Sequence, residues 1–119
     1  MAYNNFALLY DDLMKDAPYD QWTQFTLKIL RNRQVNQVVD LGCGTGEITL
    51  RLAEQEYSLF GVDVSPDMLA IAEQKALQNN KEITWIKQDI RTLEGFSNID
   101  VFISYCDVIN YIVEKSDVK

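Results

Sequence analysis

The stretch Val38-Val39-Asp40-Leu41-Gly42-Cys43-Gly44-Thr45-Gly46-Glu47-Ile48 constrains the fold of this chain more than any other. Val38, Val39 and Leu41 are β-branched or apolar, as suits a strand covered on both faces. Glycines at 42, 44 and 46 then permit positive φ and let another molecule approach the backbone. A helical pattern begins after Gly46. In open α/β sheets, such a turn after a first strand is where nucleotide-like ligands sit. The spacing discriminates among them. The dinucleotide fingerprint G-x-G-x-x-G requires glycine at 47, and this chain has Glu47 there.

The rest of the chain predicts the frame for that turn. Residues 3–15 read as an amphipathic helix, with Tyr3, Phe6, Leu9, Tyr10 and Leu13 on one face. Asp16-Ala17-Pro18 breaks it, and a second helix is expected over about 18–33, with Trp22, Phe25, Ile29 and Leu30 inward. Both helices suit sheet cover. The first also suits a lid, since it carries Tyr10, Asp11 and Asp12 ahead of the glycine strand. Strands are predicted at about 35–41, 58–63, 83–88 and 99–105. A helix follows Gly46, and a second starts at Ser65-Pro66-Asp67, where serine caps, proline fits the first position and an acid meets the dipole. Residues 91–96 read as a short helix or turn, and 106–111 as the approach to another helix. Strands alternating with helices imply right-handed crossovers and a parallel sheet. The expected fold is α/β, a Rossmann-like doubly wound sheet in the order 3-2-1-4 with N-terminal helices. It forms one domain over 1–119, with 1–33 as N-terminal helices or lid and 34–119 as the βα core. The ligand crevice then lies at the carboxyl ends of strands one and four.

Two acids end the next strands, Asp63 and Asp89. An ionised carboxylate only accepts hydrogen bonds, so Asp63 suits the vicinal hydroxyls of a ribose. Asp89, one strand further out, suits an adenine amino group, and the Ile90 N–H suits a ring nitrogen. Val64 and Met68 are placed to sandwich the base, methionine adapting well to flat π surfaces. Phosphate is disfavoured: Asp40 and Glu47 flank the loop, and no Lys or Arg falls between 38 and 50. A sulfonium carrying an ammonium group is expected to be preferred, which selects S-adenosylmethionine over NAD or ATP.

Composition removes other chemistries. The chain has no histidine, so Ser-His-Asp triads, Cys-His dyads and ordinary zinc sites are excluded or nearly so. Cys43 and Cys106 are far apart in sequence and form no C-x-x-C pair, which suits a reduced, cytoplasmic setting. The net charge of −7 disfavours general nucleic-acid binding. No apolar run approaches the roughly 18 residues of a membrane span.

The pattern as a whole resembles a class I S-adenosylmethionine-dependent methyltransferase over about residues 1–112. Motif one is Val38 to Ile48, and motif two is Gly61-Val62-Asp63-Val64-Ser65-Pro66-Asp67-Met68-Leu69. The third is Gln88-Asp89-Ile90 and the fourth Ser104-Tyr105-Cys106-Asp107. Tyr10-Asp11-Asp12-Leu13-Met14 is similar to the Tyr-Asp-x-Leu-Met opening of small bacterial members, with one residue inserted. The resemblance implies that Asp40, Gly42, Cys43, Gly44 and Gly46 lie along the methionine part of S-adenosylmethionine, with Asp63 on the ribose and Asp89 near the adenine. It implies that the backbone at Tyr105 and Cys106 faces the methionine end, and that Tyr10 is a lid residue. Methyl transfer from a sulfonium is an in-line displacement that needs a general base only for some acceptors, so no catalytic residue is assigned. Asp107, Tyr105 or Tyr111 could orient an acceptor.

The resemblance also predicts what is missing. The family domain usually has seven strands, whereas four are legible here, so strand four is expected to be a bare hydrophobic edge. A piece of a longer protein is the favoured explanation. If the chain is complete, that edge offers an oligomer contact. A small-molecule acceptor is expected, without membrane or general nucleic-acid partners. A non-catalytic adenosine-binding or interaction module and a nucleotide-binding oxidoreductase half-domain are the competing functions.

Overall fold

The computed structural model describes residues 17–31, 33–105 and 111–114. The predicted first helix, with Tyr10, Asp11 and Asp12, lies outside them, as do Cys106 and Asp107.

Helix α1 spans Tyr19–Leu30, with Pro18 just before it, Asp20 in its first turn and Lys28 in its last. Its buried residues are Tyr19, Thr23, Thr26, Leu27 and Leu30, so the buried face is rotated from the expected one. Phe25 points outward and is 57% exposed, while two threonines lie inside. They are tolerated there because each hydroxyl donates to a carbonyl one turn back: Thr23 to Tyr19 at 2.7 Å and Thr26 to Trp22 at 2.9 Å.

Strand β1 (Gln37–Leu41) leads through the glycine loop into the short helix α2 (Glu47–Leu52). Strand β2 (Ser58–Asp63) leads into α3 (Pro66–Gln78). The start of α3 is as the sequence predicts: Ser65 Oγ accepts the Met68 N–H at 3.2 Å, and Pro66 occupies the first turn. Met68, Leu69, Ala72 and Ala76 are buried along it, together with Ile71. Strand β3 (Thr84–Lys87), a 3₁₀ turn at Ile90–Thr92 and strand β4 (Val101–Ser104) follow. β1 to β4 are parallel, in the order β3-β2-β1-β4. Asp100 sets the β1–β4 register at the far end from the glycine loop, where its Oδ2 accepts the N–H groups of Asn36 and Gln37, each at 2.9 Å.

One expectation is corrected. β4 is not a bare edge, and residue 111 does not belong to a helix. Tyr111–Glu114 forms strand β5, antiparallel to β4, with Val101 opposite Glu114 and Ser104 opposite Tyr111. A strand edge is a row of unpaired N–H and C=O groups, and a chain that turns back can satisfy it with a hairpin-like partner.

The sheet buries apolar residues on both faces, as parallel strands require. Val38, Leu59, Val101 and Ile103 pack with Tyr19, Leu27, Leu30, Ile48 and Leu52 of α1 and α2. Val39, Leu41, Val62, Ile99 and Phe102 form the other cluster, with Phe60, Ile86, Leu93 and Phe96 against it. Phe96 meets Phe60 and Phe102 edge-on, with centroids at 6.4 and 5.9 Å. No helix among the described residues is long and apolar enough to cross a membrane.

Candidate functional site

Gly42, Gly44 and Gly46 have φ values of 69°, 58° and 84°. A side chain at these positions would be strained, which explains the alternate glycines. The loop folds back onto β2. The N–H groups of Gly42 and Cys43 donate to the Val62 carbonyl at 2.8 and 3.0 Å, and that of Gly46 to the Cys43 carbonyl at 3.0 Å. The Gly44 N–H donates to Asp63 Oδ2 at 2.8 Å. Asp63 Oδ1 accepts the Ser65 N–H at 2.9 Å. One carboxylate thus joins the loops that follow β1 and β2.

Trp85 supports the loop from beneath. It pairs with Gly61 across β2 and β3. A Cβ at Gly61 would fall 2.3 Å from its ring, and one at Gly46 would fall 3.0 Å from it. The indole occupies the space that a side chain at Gly61 would need.

Asp40 is 2% exposed and accepts from Thr49 Oγ1 at 2.6 Å. Burial pushes its carboxyl up to about 7, against the Thr49 hydrogen bond, with the charge of Asp63 adding to the rise. With Tyr19, Trp22, Gly42, Cys43, Thr45, Glu47, Ile48 and Tyr105, it lines a cavity of about 30 Å³. That is room for about one water-sized group. Burial also raises the Tyr105 phenol, against a hydrogen bond with Thr26 and helped by the charge of Asp40, so its hydroxyl stays a donor.

Glu47 is not the uncompensated charge that its sequence neighbours suggest. Arg51 Nη1 and Lys75 Nζ each reach its carboxylate at 2.6 Å. Burial alone would raise its pKa, but hydrogen bonds from Lys75 and Arg51 outweigh it and hold the group below the usual glutamate range. Arg51 also pairs with Asp20 at 2.9 Å and lies 5.1 Å above the Tyr19 ring. The charge argument against phosphate is therefore weakened: Glu47 is paired, and Asp40 is only part-ionised at neutral pH. A different obstacle takes its place. The N–H groups of residues 42, 43, 44 and 46 are already used within the protein, whereas a phosphate cradle needs them pointing outward.

The other predicted residues divide. Val64 is 63% and Ile90 is 39% exposed, unusual for apolar side chains, and they follow Asp63 and Asp89 beyond β2 and β3. Met68 is 7% exposed on the inner side of α3, so it offers far less surface to a base than Val64 does. Asp89 has other partners. It caps the 3₁₀ turn by accepting the Arg91 N–H at 2.9 Å and pairs with the Arg91 guanidinium at 2.7 Å. Hydrogen bonds from Arg91, first from its side chain and then from its backbone, lower the Asp89 carboxyl to about 2. Tyr10 and Cys106 lie outside the described residues. Sequence reasoning missed Tyr19, Trp22 and Thr45 in the cavity wall. Tyr19 and Trp22 sit three apart on α1, a spacing that shows a shared face but not what it covers.

Comparison with known proteins gives a consistent picture. A family model described as "Methyltransferase domain" matches residues 38–119. A Geobacillus sp. (strain WCH70) protein named as a methyltransferase is 44% identical across 100% of this chain and 49% of its own length. A Bacillus subtilis (strain 168) protein, also named as a methyltransferase, is 42% identical across 99% of this chain and 47% of its own. The crystal structure of an S-adenosylmethionine-dependent methyltransferase from Clostridium acetobutylicum superposes with a TM-score of 0.72 at 31% identity, over 85% of this chain and 42% of that one. The chain spans about half the length of the curated relatives it matches.

Proposed function

The chain belongs to the class I S-adenosylmethionine-dependent methyltransferase family, and on that footing we propose that it is the cofactor-binding part of an enzyme that methylates a small-molecule acceptor in the cytoplasm. The observation that carries this reading is the Asp63 carboxylate. Each of its oxygens accepts one backbone N–H, from Gly44 or Ser65. A carboxylate oxygen has a second lone pair, so Asp63 is fixed in place and still able to accept from two ribose hydroxyls.

The neighbouring residues fit the remainder of the ligand. Val64 and Ile90, exposed just after Asp63 and Asp89, offer apolar surface for a flat base. Asp89, tied to Arg91, is left to accept from an adenine amino group only through its remaining lone pairs. At the opposite end, where β1 and β4 adjoin, the cavity brings Asp40 and Glu47 together with the rings of Tyr19, Trp22 and Tyr105. Carboxylates with aromatic faces suit an ammonium group.

Bound there, S-adenosylmethionine would supply an electrophilic methyl group on a sulfonium. The chain's own contribution is alignment, by two fixed ends and a rigid loop between them. Holding reactants in line is worth on the order of 7–11 kcal/mol at best. No general base is assigned.

Calorimetric titration with S-adenosylmethionine, S-adenosylhomocysteine, NADH and ATP tests the reading. Binding of the first two without the others is expected. Tight NADH binding with no response to S-adenosylhomocysteine would overturn it.

A further inference from the structure

Tyr105 follows β4 at the crevice where the strand order reverses, and its side chain is tied to a helix distant in sequence. Its ring stacks on that of Trp22, with centroids 5.7 Å apart and 15° between the planes. Its hydroxyl shares a hydrogen bond with Thr26 Oγ1 and lies 3.3 Å from the Trp22 carbonyl. Thr26 itself donates to that carbonyl at 2.9 Å and is fully buried. Threonine inside a helix commonly bonds back one turn and leaves its oxygen able to accept. Here that acceptor serves the end of a strand. Trp22 in turn meets Tyr19 edge-on, with centroids 5.7 Å apart. Tyr19, Trp22 and Tyr105 line the same cavity as Asp40, whereas Thr26 does not.

We propose that Tyr105 is a positioning residue: through Trp22 and Thr26 its hydroxyl fixes α1 over the crevice, and thereby sets the affinity for the amino-acid end of the ligand while leaving adenosine recognition alone. The inference rests on the function proposed above. It adds a role for a side chain that the sequence offered only as a possible orienter of the acceptor, beside a backbone contact. The alternative is a direct contact between the Tyr105 hydroxyl and ligand, and a second residue separates the two. Tyr105→Phe keeps the stacked ring and removes the hydroxyl. Thr26→Val leaves the cavity wall intact and removes one of the hydroxyl's two partners, leaving the Trp22 carbonyl.

The test titrates the full chain and both variants with S-adenosylhomocysteine and with 5′-methylthioadenosine, which lacks the amino-acid end. Both variants are expected to bind S-adenosylhomocysteine about three- to tenfold more weakly, the scale of one hydrogen bond. Their affinity for 5′-methylthioadenosine is expected to be unchanged. Without ligand, amide exchange should accelerate in α1 and not in α3. Equal weakening of both ligands, no change in either, or weaker S-adenosylhomocysteine binding by Tyr105→Phe with ligand-free amide exchange in α1 unchanged would each overturn the inference. A wild-type chain that binds neither compound would overturn the functional reading, and this inference with it.

Discussion

Asp63 Oδ2, at the end of β2, accepts the N–H of Gly44, in the loop after β1, at 2.8 Å. The other oxygen takes the Ser65 N–H, one residue before α3 begins. A single side chain therefore ties together the loops that follow β1 and β2, and the proposed ribose contact is built on that bracket.

Asp63→Ala removes both the bracket and the acceptor. It is expected to weaken S-adenosylhomocysteine binding by about 1–3 kcal/mol, the range for hydrogen bonds to a charged group. Calorimetry reads this directly. An unchanged affinity would place the ribose elsewhere.

Gly61→Ala tests the support beneath the loop. The new methyl would lie 2.3 and 2.4 Å from two Trp85 ring carbons and 3.1 Å from Cys43 Sγ. A rigid indole cannot yield at one atom, so the ring or the strand must shift. A stability loss of about 1–3 kcal/mol is expected, as for overpacking in general. Urea denaturation measures it, and a Trp85→Leu background should recover most of the loss. No recovery would mean that the clash is not with the indole.

The elements that the sequence made legible are those with local causes. Ser65-Pro66-Asp67 marked the start of α3 because a cap, a fixed φ and a dipole charge all act within one turn. β2 ran from Ser58 to Asp63 as expected; the parallel pairing followed from alternation, and the order of the four parallel strands from the doubly-wound rule. What was not legible depends on partners far along the chain. Lys75 stands 28 residues from Glu47 and reaches it only once the chain has folded. Thr23 and Thr26 look polar in a pattern, yet both are buried because their hydroxyls bond locally. Asp89 and Ile90 were readable as a strand end, whereas the competing grip of Arg91 was not. The β5 pairing fell in a segment whose apolar residues suit helix and strand alike.

Glu47→Gln tests the pairing that links α2 to α3. Its folded-state pKa is lowered, so the ionised group adds stability above its ordinary value of 4.5, and that contribution is lost as pH falls through the lower folded value. The wild type should exceed the variant by about 0.5–1 kcal/mol at pH 7, the scale for accessible ion pairs. The gap should close in acid. A gap that persists below the glutamate range would show that the amide disturbs packing rather than charge.

Asp40 gives the opposite sign. Its folded pKa, about 7, lies above its ordinary 3.8, first because it is buried and then because Asp63 is near, with Thr49 opposing both. Below 3.8 the group is protonated whether the chain is folded or not. Between 3.8 and 7 the unfolded chain is ionised and the folded one holds its proton, so rising pH erodes stability; above 7 the loss levels off. The full span corresponds to about 4 kcal/mol. Asp40→Asn keeps an acceptor for Thr49 and cannot ionise, so its stability should gain on the wild type from pH 4 to 7 and run parallel above. Paired urea titrations at pH 5 and 8 measure this. Ligand binding should couple to the same proton. An ammonium group in the cavity, facing Asp40 and Glu47 beside Tyr105, favours the Asp40 carboxylate and lowers its pKa. S-adenosylmethionine affinity should therefore rise from pH 6 to 8 with release of up to one proton. Titration in two buffers of different ionisation enthalpy counts that proton. Asp40→Asn should abolish both the release and the pH dependence, and a release that survives the substitution would assign the proton to another group.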